Sequence, residues 1–93
     1  MDLQAFIRQT KKIRKALDKK GMWWQIKPST DRITDELKFK LGDTEYTLIY
    51  FYEIEAYECR ETENPVVIIW SEYFKEAEAN VLKLIKESKN DNN

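Results

Sequence analysis

The chain contains no histidine. This removes the side chain that most often serves as general base, the commonest metal ligand, and every histidine-containing triad. Cysteine is nearly absent as well: Cys59 stands alone, so no disulfide can close within the chain, and a reducing, cytoplasmic setting is expected. The two glycines, Gly21 and Gly42, lie too far apart to build a phosphate-cradling loop. Long apolar runs are also missing. The longest uncharged stretch, Asn64 to Ser71, is far short of the ~20 residues a membrane-spanning helix needs. Near the N-terminus Arg8, Lys11, Lys12, Arg14 and Lys15 break up any export signal, and no membrane partner is expected.

What the chain does have is charge and aromatic mass. Of its 93 residues, 35% are charged and 13% aromatic, which suits one globular domain with a single core. The charge is divided. Residues 1–40 carry 11 Lys/Arg against 5 Asp/Glu, and residues 41–93 carry 5 against 12. A basic front and an acidic back, netting −1, make the kind of asymmetry that marks binding surfaces. Frequent Lys, Ile, Glu and Asn fit an AT-rich bacterial or phage genome.

Asp2 is placed to cap a first helix and Gly21 to end it. Between them Leu3, Phe6, Ile7, Thr10, Ile13 and Leu17 follow helical spacing and form one apolar stripe. Arg8, Lys12, Lys15 and Lys19 fall on the opposite face as a basic ridge. Met22 to Lys27 alternates like a strand, stopped by Pro28 and a Ser29-Thr30-Asp31 loop. A second strand puts Leu37, Phe39 and Leu41 inward, and Gly42-Asp43 supplies a hairpin turn. That turn sets a register of Leu41 opposite Thr44, Lys40 opposite Glu45, Phe39 opposite Tyr46, Lys38 opposite Thr47 and Leu37 opposite Leu48.

Alternation then predicts a third strand running on through Tyr50, Tyr52 and Ile54 to Ala56, followed by a polar loop over Glu58 to Asn64. Val66 to Trp70 is a continuous apolar run of the type found in strands covered on both sides. Ser71 is placed to cap a last helix with Phe74, Ala77, Val81, Leu84 and Ile85 on its buried stripe. The expected fold is α+β: an antiparallel sheet of about four strands flanked by an N-terminal and a C-terminal helix (α-β-β-β-β-α), both packed on one face. One domain covers residues 1–87, and residues 88–93 form a frayed polar tail.

The helix–strands–helix order resembles a double-stranded RNA-binding domain, and Lys75-Glu76-Ala77-Glu78-Ala79 is similar to the opening of that family's last helix. The chain departs from the pattern where function would lie. Glu72, Glu76 and Glu78 surround a single Lys75 in place of a lysine cluster, the Gly-Pro and His loop is missing, and there is an extra strand. No RNA-binding role is carried over from it.

Three surfaces invite a functional reading. On the sheet side away from the helices, alternation places Trp23, Ile49, Phe51, Val67 and Ile69, an apolar centre rimmed by Lys38, Lys40, Glu45 and Glu53, as in a protein–protein interface. The basic ridge Arg8, Lys12, Lys15 and Lys19, with Trp23 and Trp24 nearby for base stacking, is the nucleic-acid alternative. Glu53, Glu55, Glu58, Glu61 and Glu63 form an acidic cluster that a hard cation would need for a metal-dependent enzyme, but the spacing matches no calcium loop. Cys59 sits among Glu58, Arg60 and Glu61, mostly a setting for an unreactive thiol. The expectation is a non-enzymatic protein-binding module without cofactors, with a protein partner or a second copy as homodimer, serving as a phage or bacterial inhibitor or adaptor.

Overall fold

A computed structural model describes residues 2–28 and 33–88. The order is α1 (Leu3–Gln9), α2 (Lys11–Lys19), β1 (Trp24–Pro28), β2 (Thr34–Leu41), β3 (Thr44–Phe51), β4 (Ala56–Glu61), β5 (Val67–Ser71) and α3 (Phe74–Glu87). The class is α+β as expected, with one antiparallel sheet of five strands in the order β1-β2-β3-β4-β5. The Ser29-Thr30-Asp31 loop and most of the polar tail, residues 89–93, lie outside the described residues.

The first helix is capped as its sequence directs. Asp2 accepts from the Ala5 amide at 2.9 Å. At the far end Gly21 has φ +67°, its N–H reaches the Asp18 carbonyl, and the Met22 N–H reaches that of Leu17. These paired bonds satisfy two carbonyls left open by the helix end, and they need a left-handed residue between them. The single helix expected here is divided at Thr10, whose hydroxyl donates back to the Phe6 carbonyl at 2.9 Å, a bond that commonly bends helices. Phe6, Thr10, Ile13 and Leu17 are buried, so one stripe faces the core on both sides of the break.

The β2–β3 hairpin has the expected register throughout, from Leu41 opposite Thr44 to Leu37 opposite Leu48, and continues to Thr34 opposite Phe51. The long third strand does not hold. The chain turns over residues 52–55, and β4 returns through residues expected to be loop. Alternation alone could not reveal this turn, because it is made without glycine: Glu55 takes φ 49°. In β4, Tyr57 and Cys59 are buried while Glu58 and Arg60 are only partly so, a half-buried strand whose polar side reads as loop. At the last helix Ser71 remains in β5, its Oγ accepting from the Tyr73 N–H at 2.9 Å, and α3 begins three residues later.

The core lies between the sheet and the helices. Phe6, Ile13 and Leu17 from the N-terminal helices meet Ala77, Val81 and Ile85 of α3 over Leu37, Phe39, Leu48, Tyr50, Tyr57 and Cys59. A long-range clamp ties the end of α2 to the end of α3. Lys20 Nζ donates to the carbonyls of Ile85 at 2.7 Å and Ser88 at 3.1 Å, a cation on the electronegative end of α3.

At one end of the sheet Asp35 is buried, and its carboxylate accepts from the Tyr52 hydroxyl. Removing a donor from a buried carboxylate costs about 1–3 kcal/mol. Tyr52→Phe is therefore expected to lower the unfolding free energy by about that amount in urea titration. A change below a few tenths of a kcal/mol would contradict the contact.

Candidate functional site

Strand pairing fixes which side chains leave the helix face. Opposite the helices lie Glu36, Lys38 and Lys40 of β2, Glu45, Thr47, Ile49 and Phe51 of β3, Glu58 and Arg60 of β4, and Val67 and Trp70 of β5. No residue of this set belongs to the core cluster that the helices build. Among the described residues, this face therefore has no helix over it.

The five residues expected to form an apolar patch there part company. Trp23 and Val67 are exposed, at 45% and 40%, and Phe51 is half-buried. Ile49 is only 4% exposed although no helix lies above it. Its cross-strand neighbours are Glu36 and Glu58, the latter 3.7 Å from Arg60, and long charged side chains cover apolar surface with their stems. Ile69 points the other way and packs against the core. The cause is a β-bulge: Cys59 pairs with Ile69 but Arg60 pairs with Val67, so Ile68 is an extra residue and shifts the alternation.

The apolar surface that is open lies at the sheet's edge. The run from Val66 to Trp70 does not form a covered central strand; β5 is the last strand of the sheet and among the described residues pairs only with β4. Val66, Val67, Ile68, Trp70 and Tyr73 are exposed by 62%, 40%, 47%, 53% and 69%. Beside this strand a groove of about 400 Å³ runs along α3, with Ile68, Ile69, Trp70 and Leu84 as its apolar wall and Lys83 and Glu87 on its rim. A sequence signal for this existed. A meander of neighbouring strands that ends in a helix leaves its last strand at an edge.

Arg8, Lys12, Lys15 and Lys19 are all exposed, and none takes part in an ion pair found among the described residues. The tryptophans do not stand beside them as base-stacking rings. Trp24 donates from Nε1 to Asp18 at 2.8 Å and lies under the Arg14 guanidinium at 5.3 Å, half-buried. Trp23 alternates to the opposite side of the sheet.

The acidic residues disperse. Glu53 and Glu55, expected on one strand face, occupy the turn before β4, Glu58 lies on the open face, Glu61 ends β4, and Glu63 is in the following turn. Among the described residues no three His, Cys, Asp or Glu side chains stand close enough to hold a metal ion. Cys59 is fully buried in β4, and burial pushes its thiol up to about 12. No helix among the described residues is long and apolar enough to cross a membrane. Comparison with protein-family models, with curated proteins and with solved structures finds no match for this chain.

Burial likewise pushes Tyr52, aided by its hydrogen bond to Asp35, and Tyr57 up to about 12. All three groups hold their protons more tightly folded than unfolded. The stability they confer is complete below the ordinary thiol and phenol values of 9.0 and 10.0 and is lost as pH rises toward 12. The thermal midpoint is expected to fall progressively above about pH 9. A midpoint unchanged through pH 11 would contradict the burial of these groups.

Proposed function

We propose that this protein is a non-enzymatic binding module that works by strand addition at β5, and that the strand it accepts belongs to a second copy of itself. The carrying observation is the exposed apolar edge from Val66 to Trp70, with its unpaired backbone on one side. Natural sheets blunt such edges with lysine or proline, because an open flat edge is a template for another strand. The opposite edge, β1, is blunted in that way by Lys27 and Pro28, whereas β5 carries no charge and has only the bulge at Ile68 to interrupt it.

A second copy is the partner this edge suits best. An antiparallel two-fold pairing brings one Val-Ile-Ile-Trp run against another, apolar to apolar, and such an isologous contact closes on itself. On the groove rim Lys83 and Glu87 stand one helical turn apart. A two-fold axis crossing midway between them sets each opposite its counterpart of unlike charge. The uncovered sheet face with its charged rim would then extend across both copies as the surface offered to a larger partner. A small cytoplasmic inhibitor or adaptor of bacterial or phage origin fits this reading.

Sedimentation velocity across a concentration series tests the proposal. A reversible dimer is expected, weakened only modestly by salt because apolar and backbone contacts outweigh the rim charge pairs, and weakened at least tenfold by Ile68→Lys or Trp70→Lys. A monomer at every concentration up to the millimolar range, or a dimer that neither substitution disturbs, would overturn it.

A further inference from the structure

A cleft of about 930 Å³ opens where the N-terminal helices, the start of α3 and the β3–β4 turn converge. That volume lies within the ~300–1,000 Å³ typical of small-molecule sites. Its lining is ordered by chemistry. One wall is cationic: Arg8, Lys11, Lys12 and Lys15 project from successive helical turns, exposed and outside the ion pairs found among the described residues. The floor is aromatic. Tyr57 and Phe74 meet edge to face with centroids 5.4 Å apart, and the Tyr57 hydroxyl is fixed by donation to Gln9 Oε1 at 2.9 Å. Tyr73, 69% exposed, stands at the rim.

The opposite wall carries Glu78, whose side chain is only 9% accessible. Its charge partner is Lys75, at 3.9 Å and itself 90% accessible, too far for a hydrogen bond and mostly in water. A carboxylate held by so weak a pair can accept from a donor that enters the cleft. The remaining carboxylates on the lining, Glu55 and Glu72, are exposed at the mouth and leave the cleft with five cations against three anions.

We infer that this cleft binds a nucleoside phosphate, with the phosphate on the Arg8–Lys15 wall, the base over the Tyr57–Phe74 floor and an amino or imino N–H of the base donated to Glu78. Each part of the ligand answers one part of the lining. An inorganic anion would use the cations alone and leave the floor and Glu78 idle. An uncharged aromatic ring would leave the cations idle. The base needs an N–H on its edge, which all the common bases provide and an analogue such as N6,N6-dimethyladenine lacks. The inference is independent of strand addition at β5, which lies on a different surface.

Calorimetric titration of the full chain at low salt with AMP, GMP, adenosine, guanosine, inorganic phosphate and a single-stranded oligonucleotide tests it. At least one nucleotide is expected to bind ten times more tightly than its nucleoside and than phosphate. Lys12→Glu with Lys15→Glu, both exposed positions, should abolish that binding while the circular dichroism spectrum is unchanged. Glu78→Gln should weaken the nucleotide severalfold without weakening phosphate binding, whereas a purely electrostatic surface would bind both more tightly once that negative charge is removed. Three results would overturn the inference: no nucleotide binding at millimolar concentration, equal affinity for nucleotide and phosphate, or an oligonucleotide affinity that grows with length and ignores Glu78→Gln. The last would assign the ridge to a nucleic-acid strand and leave the cleft without a role.

Discussion

One row of side chains holds this fold together. Ile26, Leu37, Leu48, Cys59 and Ile69 are direct cross-strand partners in succession, running over all five strands on the helix side of the sheet. Its three central members have no exposed surface. Directly opposed apolar side chains are the unit from which sheets draw stability, and a shift by one residue in any strand would put that strand's member on the wrong face. The row therefore fixes register, face and strand order together. It also decides where the helices must go, since Phe6, Ile13, Leu17, Val81 and Ile85 have only this layer to bury against.

The uneven surface follows from that arrangement. With all helices on one side, the far side must keep itself solvated, and it does so with Glu36, Lys38, Lys40, Glu45, Glu58 and Arg60 set around a single buried isoleucine. A meander in strict sequence order leaves its first and last strands as edges. One edge is guarded by lysine and proline, and the other is not. The same packing leaves a wedge between the N-terminal helices and the start of α3, filled by aromatic rings at its base and bordered by the basic ridge. The charge division visible along the chain thus becomes spatial there, because the N-terminal cations look across the wedge toward Glu78 and Glu72.

Local chemistry made some of this legible in the sequence. Gly42-Asp43 with alternating neighbours specified the β2–β3 pairing residue by residue, and Asp2 and Gly21 marked both ends of the first helical region. The sequence was silent where one physical cause imitates another. A turn built on Glu55 instead of glycine lets Tyr52, Ile54 and Ala56 pass as a continuing strand, so β4 looks like loop. An apolar run looks alike at a sheet's centre and at an open edge, so its pattern alone implies a covered strand. The bulge at Ile68 inverted Ile69, which no alternation count detects. The cleft was least legible of all, since Gln9, Tyr57 and Glu78 meet only through the fold.

The central claim is that the helices shield one side of the row and that no described residue shields the far side or the β5 edge. Solvent paramagnetic relaxation of methyl signals, recorded with a soluble nitroxide on a dilute monomeric sample, measures that directly. Strong relaxation is expected for the methyls of Val66, Val67 and Ile68, and little for Leu37, Leu48 and Val81. Protection of Val67 and Ile68 equal to that of Leu48 in the monomer would contradict the account, since the chain would then be covering its own edge.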